Sequence, residues 1–176
     1  EEAELTGGLD VASAYVGLSG NLVEGSNTLG AVSIARESAI ITRSDVLRAI
    51  AAAKAVKPPP GREVLGVFPQ DFMVDDQDGI RDPVGMGGAR LQANVHVVTG
   101  TTTAVRNLVH AVNRAGIAVT ELVLAPVAAA EVALTADEKE AGVVLADIGA
   151  DTTELAVYER GVLWHTGVVP IGGLHF

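Results

Sequence analysis

Asp147-Ile148-Gly149-Ala150-Asp151-Thr152-Thr153-Glu154 lies between two apolar runs and has the residue types needed to grip phosphate. Asp147, at a strand end, can hold a magnesium-bound water, because Mg²⁺ prefers hard oxygens and keeps much of its hydration. Gly149 lets the backbone come close to a phosphate. Thr152 and Thr153 offer hydroxyls and amides to phosphate oxygens, in the manner of a backbone nest. An ordinary Asp-Thr hairpin turn uses the same letters, so context must decide. A second stretch, Val95-His96-Val97-Val98-Thr99-Gly100, carries a strand pattern into a helical one.

Other chemistry is thinly represented. His96, His110, His165 and His175 show no ligand spacing with a carboxylate partner, which argues against a metal site built on histidine. Ser19 between glycines is no hydrolase elbow, since that motif needs Gly two before and two after the Ser, and Gly17 and Gly20 miss it. Cysteine is absent, so there are no disulfides, Fe–S clusters or thiol nucleophiles, which suits a reducing compartment.

The elements that must position these residues are built from small aliphatic side chains. In 176 residues, 48% are apolar but only 3% aromatic, so Val, Ala, Leu and Ile must form the core. The length fits one domain or two small ones. Net charge is -10, which opposes general nucleic-acid or anionic-lipid binding. No stretch approaches 18 uninterrupted apolar residues, and no basic segment leads into an apolar run as in a signal peptide. Glu1-Glu2-Ala3-Glu4-Leu5 reads as the tail of a helix already under way, which suggests a fragment.

Val11 to Gly20 reads as a covered strand, and residues 21–35 as turn-rich and then extended. Thr42 opens a helix with Asp45 at the third position; Val46, Ile50 and Ala53 recur at helical spacing. Lys54 to Lys57 close it, and Pro58-Pro59-Pro60-Gly61 forbids continuation. Val64 to Phe68 forms a strand interrupted by Pro69, and Phe72-Met73-Val74 resumes it. Turns are expected at Asp75–Gly79 and Asp82–Gly85. Ala89 to Thr99 is the longest strand expected, with Leu91, Ala93, Val95 and Val97 on one side. Thr101 to Ala115 is a helix ended by Gly116, and Val119 to Leu124 a short strand. Pro126 starts a helix over Val127 to Leu134 that is nearly free of charge and therefore expected to be buried. Polar residues 135–140 make a solvated linker or short helix. Three strands then follow, around Val143–Asp147, Leu155–Tyr158 and Val162–His165. Residues 21–93 thus form an α+β insert between two strands of another sheet.

The chain resembles the FtsA family of bacterial cell-division proteins, within the actin-like ATPase superfamily. The resemblance is carried in order by Tyr15–Gly20, Ile41–Val46, Asp75–Ile80 with Asp82–Met86, and Val95–Gly100. It continues through Val112–Gly116, Leu134–Glu140 and Val169-Pro170-Ile171-Gly172-Gly173. It implies an α/β, incomplete actin-like (ribonuclease H-like) fold with an inserted α+β subdomain 1C. Residues 1–20 and 94–141 would belong to subdomain 1A, 21–93 to subdomain 1C, and 142–176 to the start of subdomain 2A. The implied cofactors are ATP and Mg. The implied cofactor contacts are Asp147, Gly149, Ala150, Thr152, Thr153, Gly172 and Gly173, with Asp147 serving the metal and no catalytic residue assigned.

By the same resemblance, the function is a scaffold that polymerises on the cytoplasmic side of the cell membrane at the division site. It would tether FtsZ filaments and recruit late division membrane proteins, with self-association through subdomain 1C and no nucleic-acid partner. Arg43, Arg48, Lys54 and Lys57 form a basic edge on the insert that could serve an interface. The first phosphate loop is expected upstream of Glu1. The adenosine-holding segments, the FtsZ-binding subdomain and an amphipathic membrane helix are expected downstream of Phe176, so residues 1–176 alone should bind ATP weakly or not at all.

Departures qualify the resemblance. The family usually has two further glycines after Gly149 and an Asp after the threonines, where Ala150, Asp151 and Glu154 stand here. Many relatives place a Glu before the proline of the next helix, near the attacking water. Ala125 supplies no such base, so hydrolysis is expected to be weak or absent. The alternative is an actin-fold ATPase or sugar kinase. A pilus-assembly or shape-determining relative with the same core is a third reading.

Overall fold

The computed structural model describes residues 6–8, 11–35 and 38–175. The helix tail expected over Glu1–Leu5 lies outside them. Among the described residues the strands form three separate sheets. The parallel pair β1 (Ser13–Leu18) and β6 (Ala118–Leu124) forms one. The antiparallel set β2 (Val23–Ser33), β3 (Arg62–Val74), β4 (Gln77–Ile80) and β5 (Arg90–Thr101) forms the second, in the order β2-β5-β3-β4. The meander β7 (Val143–Ile148), β8 (Thr153–Glu159) and β9 (Val162–Val169) forms the third. The second sheet lies, in sequence, between the two strands of the first. It is a module threaded into a loop.

Strand β5 is the hinge of that module. Leu91, Ala93, Val95 and Val97 alternate onto a core shared with Ala49 and Ala53 of helix α1 (Arg43–Lys54). On the opposite face Val98 joins Leu18 and Leu124 in a second core. Residues 95–100 are consequently buried on both sides, including the polar His96 and Thr99, which are hydrogen-bonded there. β5 also continues past residue 93 in the same sheet, pairing with β2 as far as Gly100 opposite Val23.

Helix α1 begins where the sequence places it. Asp45 reaches back so that its Oδ2 accepts from the Thr42 amide at 2.9 Å and from its hydroxyl at 2.6 Å. Arg48 donates to Asp45 Oδ1 at 2.8 Å, so the buried carboxylate is paired. Helix α2 (Thr102–Arg114) closes at Gly116, which holds φ 85°, the left-handed conformation that stops a helix. The polar segment after residue 134 is the short helix α4 (Ala136–Ala141), with Thr135 and Glu138 in a reciprocal capping box.

Several expectations are corrected. Residues 23–33 are one long strand, although Gly25, Ser26, Asn27 and Gly30 read as turn formers. Gly25 and Gly30 are there for close approach. A Cβ on Gly30 would sit 2.0 Å from Ala49 O and 2.3 Å from Ala53 N, so α1 lies directly on the bare backbone. Pro69 does not interrupt β3; it sits at a register shift opposite Val95, where a bulge tolerates a residue without an amide hydrogen. With that bulge β3 runs to 13 residues against 12 for β5, so β3 is the longer strand. Helix α3 (Ala125–Ala133) is buried only through Pro126 and Ala130, and Val132 is 92% exposed. Low charge marked one buried stripe and not a buried helix. β1 is also less covered than its pattern suggests, with Tyr15 67% exposed.

The meander meets the module along β9, which lies across β2, β3 and β5. The seam is polar. Gln70 donates from Nε2 to the carbonyls of Leu163 (3.3 Å) and Trp164 (2.7 Å). Trp164 in turn donates from Nε1 to Glu159 O at 3.0 Å. His96 is fully buried between Asn27 Oδ1 (2.6 Å from Nδ1) and Thr166 Oγ1 (2.9 Å from Nε2). A neutral ring that donates from Nδ1 and accepts at Nε2 satisfies both partners. Gly25 leaves the room, since a Cβ there would lie 2.4 Å from Thr166 Oγ1. Arg81 pairs with Glu140, adding an exposed tie between module and meander side.

Two tests follow from this packing. Gly30→Ala should lower unfolding free energy by about 2–3 kcal/mol, read as a shift in the urea midpoint, because backbone and not a flexible side chain blocks the methyl group. Burial, and then the His165 ring, push the His96 imidazole from 6.5 down to about 4. The unfolded chain therefore binds the extra proton over that window, and stability present above pH 6.5 falls as pH drops towards 4. Between neutrality and about pH 5 the loss should be about 2 kcal/mol in denaturant titrations, and His96→Gln should flatten it.

Candidate functional site

The hairpin joining β7 to β8 forms as its sequence suggests. Gly149 donates its amide to Thr152 O at 2.9 Å, closing the turn. Asp147 and Glu154 stand directly opposite each other in the ladder, so their side chains share one face. Behind the turn, Gly173 donates to Gly149 O at 2.8 Å and Leu174 to Ala150 O at 2.9 Å. Gly172 must lack a Cβ, which would lie 2.5 Å from Ala150 O. Thr153 donates its hydroxyl to Ile171 O at 2.7 Å. The segment 171–174 is thus a brace under the hairpin.

In front of the hairpin is a cavity of about 330 Å³, lined by Ser19, Ala125, Asp147, Gly149, Ala150, Asp151, Thr152 and Glu154. Five of the seven residues expected at the cofactor are on the hairpin; Gly172 and Gly173 reach it from behind. Asp147, Gly149, Ala150 and Thr152 face the cavity, whereas Thr153 turns its hydroxyl to the brace. Ala125 presents a methyl group at the point where a water-activating carboxylate was looked for.

Sequence reasoning missed the other wall. Ser19 entered only as a rejected nucleophile and Glu154 only as a departure, yet both line the cavity. Glu154 is only 6% exposed, and its Oε1 accepts the Gly20 amide at 2.7 Å. Burial, and more weakly the Asp147 charge, push its carboxyl above the ordinary range, while the Gly20 amide and Ser19 hydroxyl pull it down. No local signal could have exposed a contact across 134 residues.

The residue types lining the cavity could hold a phosphate and a hydrated cation. An exposed carboxylate at a strand end matches a hydrated hard cation, and the adjoining turn is bare at Gly149 with a hydroxyl at Thr152. Asp151 is exposed, so its charge can stay in solvent.

The profile of the SHS2 domain inserted in FtsA matches residues 20–99, close to the bounds of the threaded sheet. The chain is 45% identical over 172 residues to the cell division protein FtsA of Borreliella burgdorferi, covering 98% of the chain and 42% of that relative. It is 40% identical over 173 residues to FtsA of Escherichia coli K12, covering 98% of the chain and 41% of that relative. For FtsA of Bacillus subtilis the figures are 40%, 98% and 39%. The chain therefore spans about two fifths of the length of the curated relatives it matches. A solved chain from the PilM-PilN type IV pilus biogenesis complex superposes with a TM-score of 0.64 at 18% identity, covering 98% of this chain and 47% of that one. That likeness is one of fold, and it is the actin-like ATPase fold. With an SHS2 module inserted between paired strands and ordered identity along nearly its whole length, the chain belongs to the FtsA family of bacterial cell-division proteins.

Proposed function

We propose that these residues form part of a nucleotide-regulated scaffold of cell division. In this reading the intact protein polymerises on the cytoplasmic face of the membrane at the division site. It tethers FtsZ filaments there and recruits later division proteins. The observation that carries the reading is the hairpin Asp147–Glu154 folded against Ser19 and Ala125, at the root of the SHS2-like module. ATP would lay its phosphates over Gly149, Ala150, Thr152 and Thr153, with Gly172 and Gly173 bracing the turn. Asp147 would hold a water of the Mg²⁺ shell, and the metal offsets phosphate charge when bound. The Ala125 methyl favours nucleotide as a switch over nucleotide as a fuel.

The three separate sheets support assigning residues 1–20 and 94–141 to subdomain 1A, 21–93 to 1C and 142–176 to the start of 2A. The pairing of β5 carries the module's sheet on to Thr101. Self-association is assigned to the module, where Arg43, Lys54 and Lys57 are exposed on or just beyond α1, while Arg48 is tied to Asp45. FtsZ and the membrane are assigned to other parts of the intact protein.

Equilibrium binding of Mg·ATP to the intact protein tests the site. Asp147→Ala should weaken Mg-dependent binding about tenfold or more, equivalent to about 1.4 kcal/mol, and unchanged affinity would remove the hairpin reading. Phosphoryl transfer to a sugar that collapses with Asp147, without an assembly defect, would favour the kinase alternative. Excising residues 21–93, which spares Gly20 and Val98, should abolish filaments seen by electron microscopy while leaving nucleotide binding largely in place.

A further inference from the structure

We propose that Glu154 is a positioning residue that ties the phosphate-gripping hairpin to the root of the SHS2-like module, so that a cation held at the hairpin tightens the module's hinge. This rests on reading the hairpin as a phosphate and magnesium site.

Three features place Glu154 in that role. Its Oε1 holds the Gly20 amide at 2.7 Å, and Gly20, at φ 73°, begins the 3-10 turn Gly20–Leu22 that runs straight into β2. The bond therefore grips the first residue of the module. Asp147 is the direct cross-strand neighbour of Glu154, so charge at Asp147 acts on Glu154 over the shortest path in the sheet. Glu154 and Ser19 also line a second cavity of about 290 Å³, which reaches Glu24, Gly25 and Thr166 at the seam. One carboxylate is thus a wall of both spaces.

The coupling is electrostatic. Two carboxylates opposite each other repel, and that repulsion opposes the charge Glu154 presents to the Gly20 amide. A cation at Asp147 offsets its charge and lets the Glu154 carboxylate strengthen its charge-assisted bond to the Gly20 amide. Phosphate without a cation acts in the opposite direction. The same energy that changes the hinge must change cation affinity, because coupling between sites is reciprocal.

Hydrogen exchange at the amides of residues 20–23, read by NMR on the intact protein, tests this. Magnesium with a non-hydrolysable ATP analogue should slow exchange at Gly20 about fivefold or more. Glu154→Gln keeps an acceptor but no charge, so at saturating analogue it should lose that response. Asp147→Asn should slow Gly20 exchange with no nucleotide present, and should do nothing in the Glu154→Gln background. An unchanged magnesium response in Glu154→Gln overturns the proposal, as does an unaffected Gly20 in Asp147→Asn. Failure of the analogue to bind would sink the hairpin reading instead, and the ligand-free Asp147→Asn comparison would still decide the coupling. Thermal unfolding midpoints of each variant establish that it is folded.

Discussion

A module inserted into a loop must begin and end at nearly the same point in space, and the pairing of β2 with β5 meets that constraint. Val23 lies opposite Gly100, one residue beyond the turn that leaves β1 and two before α2 begins. The first and last strands of the insert are sheet neighbours, so closing the long excursion requires no separate strap. That geometry makes β5 a shared wall. Its odd-numbered residues complete the module's own core, and Val98 completes the core under β1 and β6. The glycines follow from the same demand. At Gly100 a Cβ would meet Leu65 at 2.5 Å, and at Gly30 it would strike the helix backbone.

The contacts between module and meander are of a different kind from those inside either. The cores are mainly aliphatic, with Phe72 in the module and Tyr158 in the meander, whereas the seam adds Gln70, His96, Asn27 and Thr166 beside the apolar contact of Phe68, with Arg81 and Glu140 outside. Among the described residues, no buried side-chain nitrogen or oxygen lacks a hydrogen-bond partner. Satisfied polar seams specify one arrangement without the large apolar burial that would fuse two bodies. A join of this type holds one arrangement while leaving the two bodies separable. The link from Glu154 to Gly20 lies on that join.

Much of this was legible in the sequence because periodicity survives where one face decides a residue. The alternation from Leu91 to Val97, the helix before Gly116, the capping pair Thr42 and Asp45 and the final three strands all have local causes. What was hidden has non-local causes. β2 looked like turns because its glycines answer to a helix about twenty residues away in sequence and to a histidine about seventy away. Pro69 looked like a break because a bulge is visible only with both strands present. The hairpin residues were readable from their own spacing, but the roles of Ser19 and Glu154 were not, since their neighbours lie at opposite ends of the chain. Gly172 and Gly173 were expected at the cofactor by resemblance; they lie behind the hairpin, and for Gly172 the steric reason for lacking a Cβ is the Ala150 carbonyl.

Trp164 is the only tryptophan in the chain, and Gln70 clasps its carbonyl from the inserted module. Its indole is pinned to Glu159 O, so its orientation follows the strand and not solvent tumbling. Nature has therefore placed an intrinsic fluorophore on the boundary between two bodies. Slippage of one against the other changes the environment of that single ring, making the emission spectrum an unlabelled gauge of their alignment.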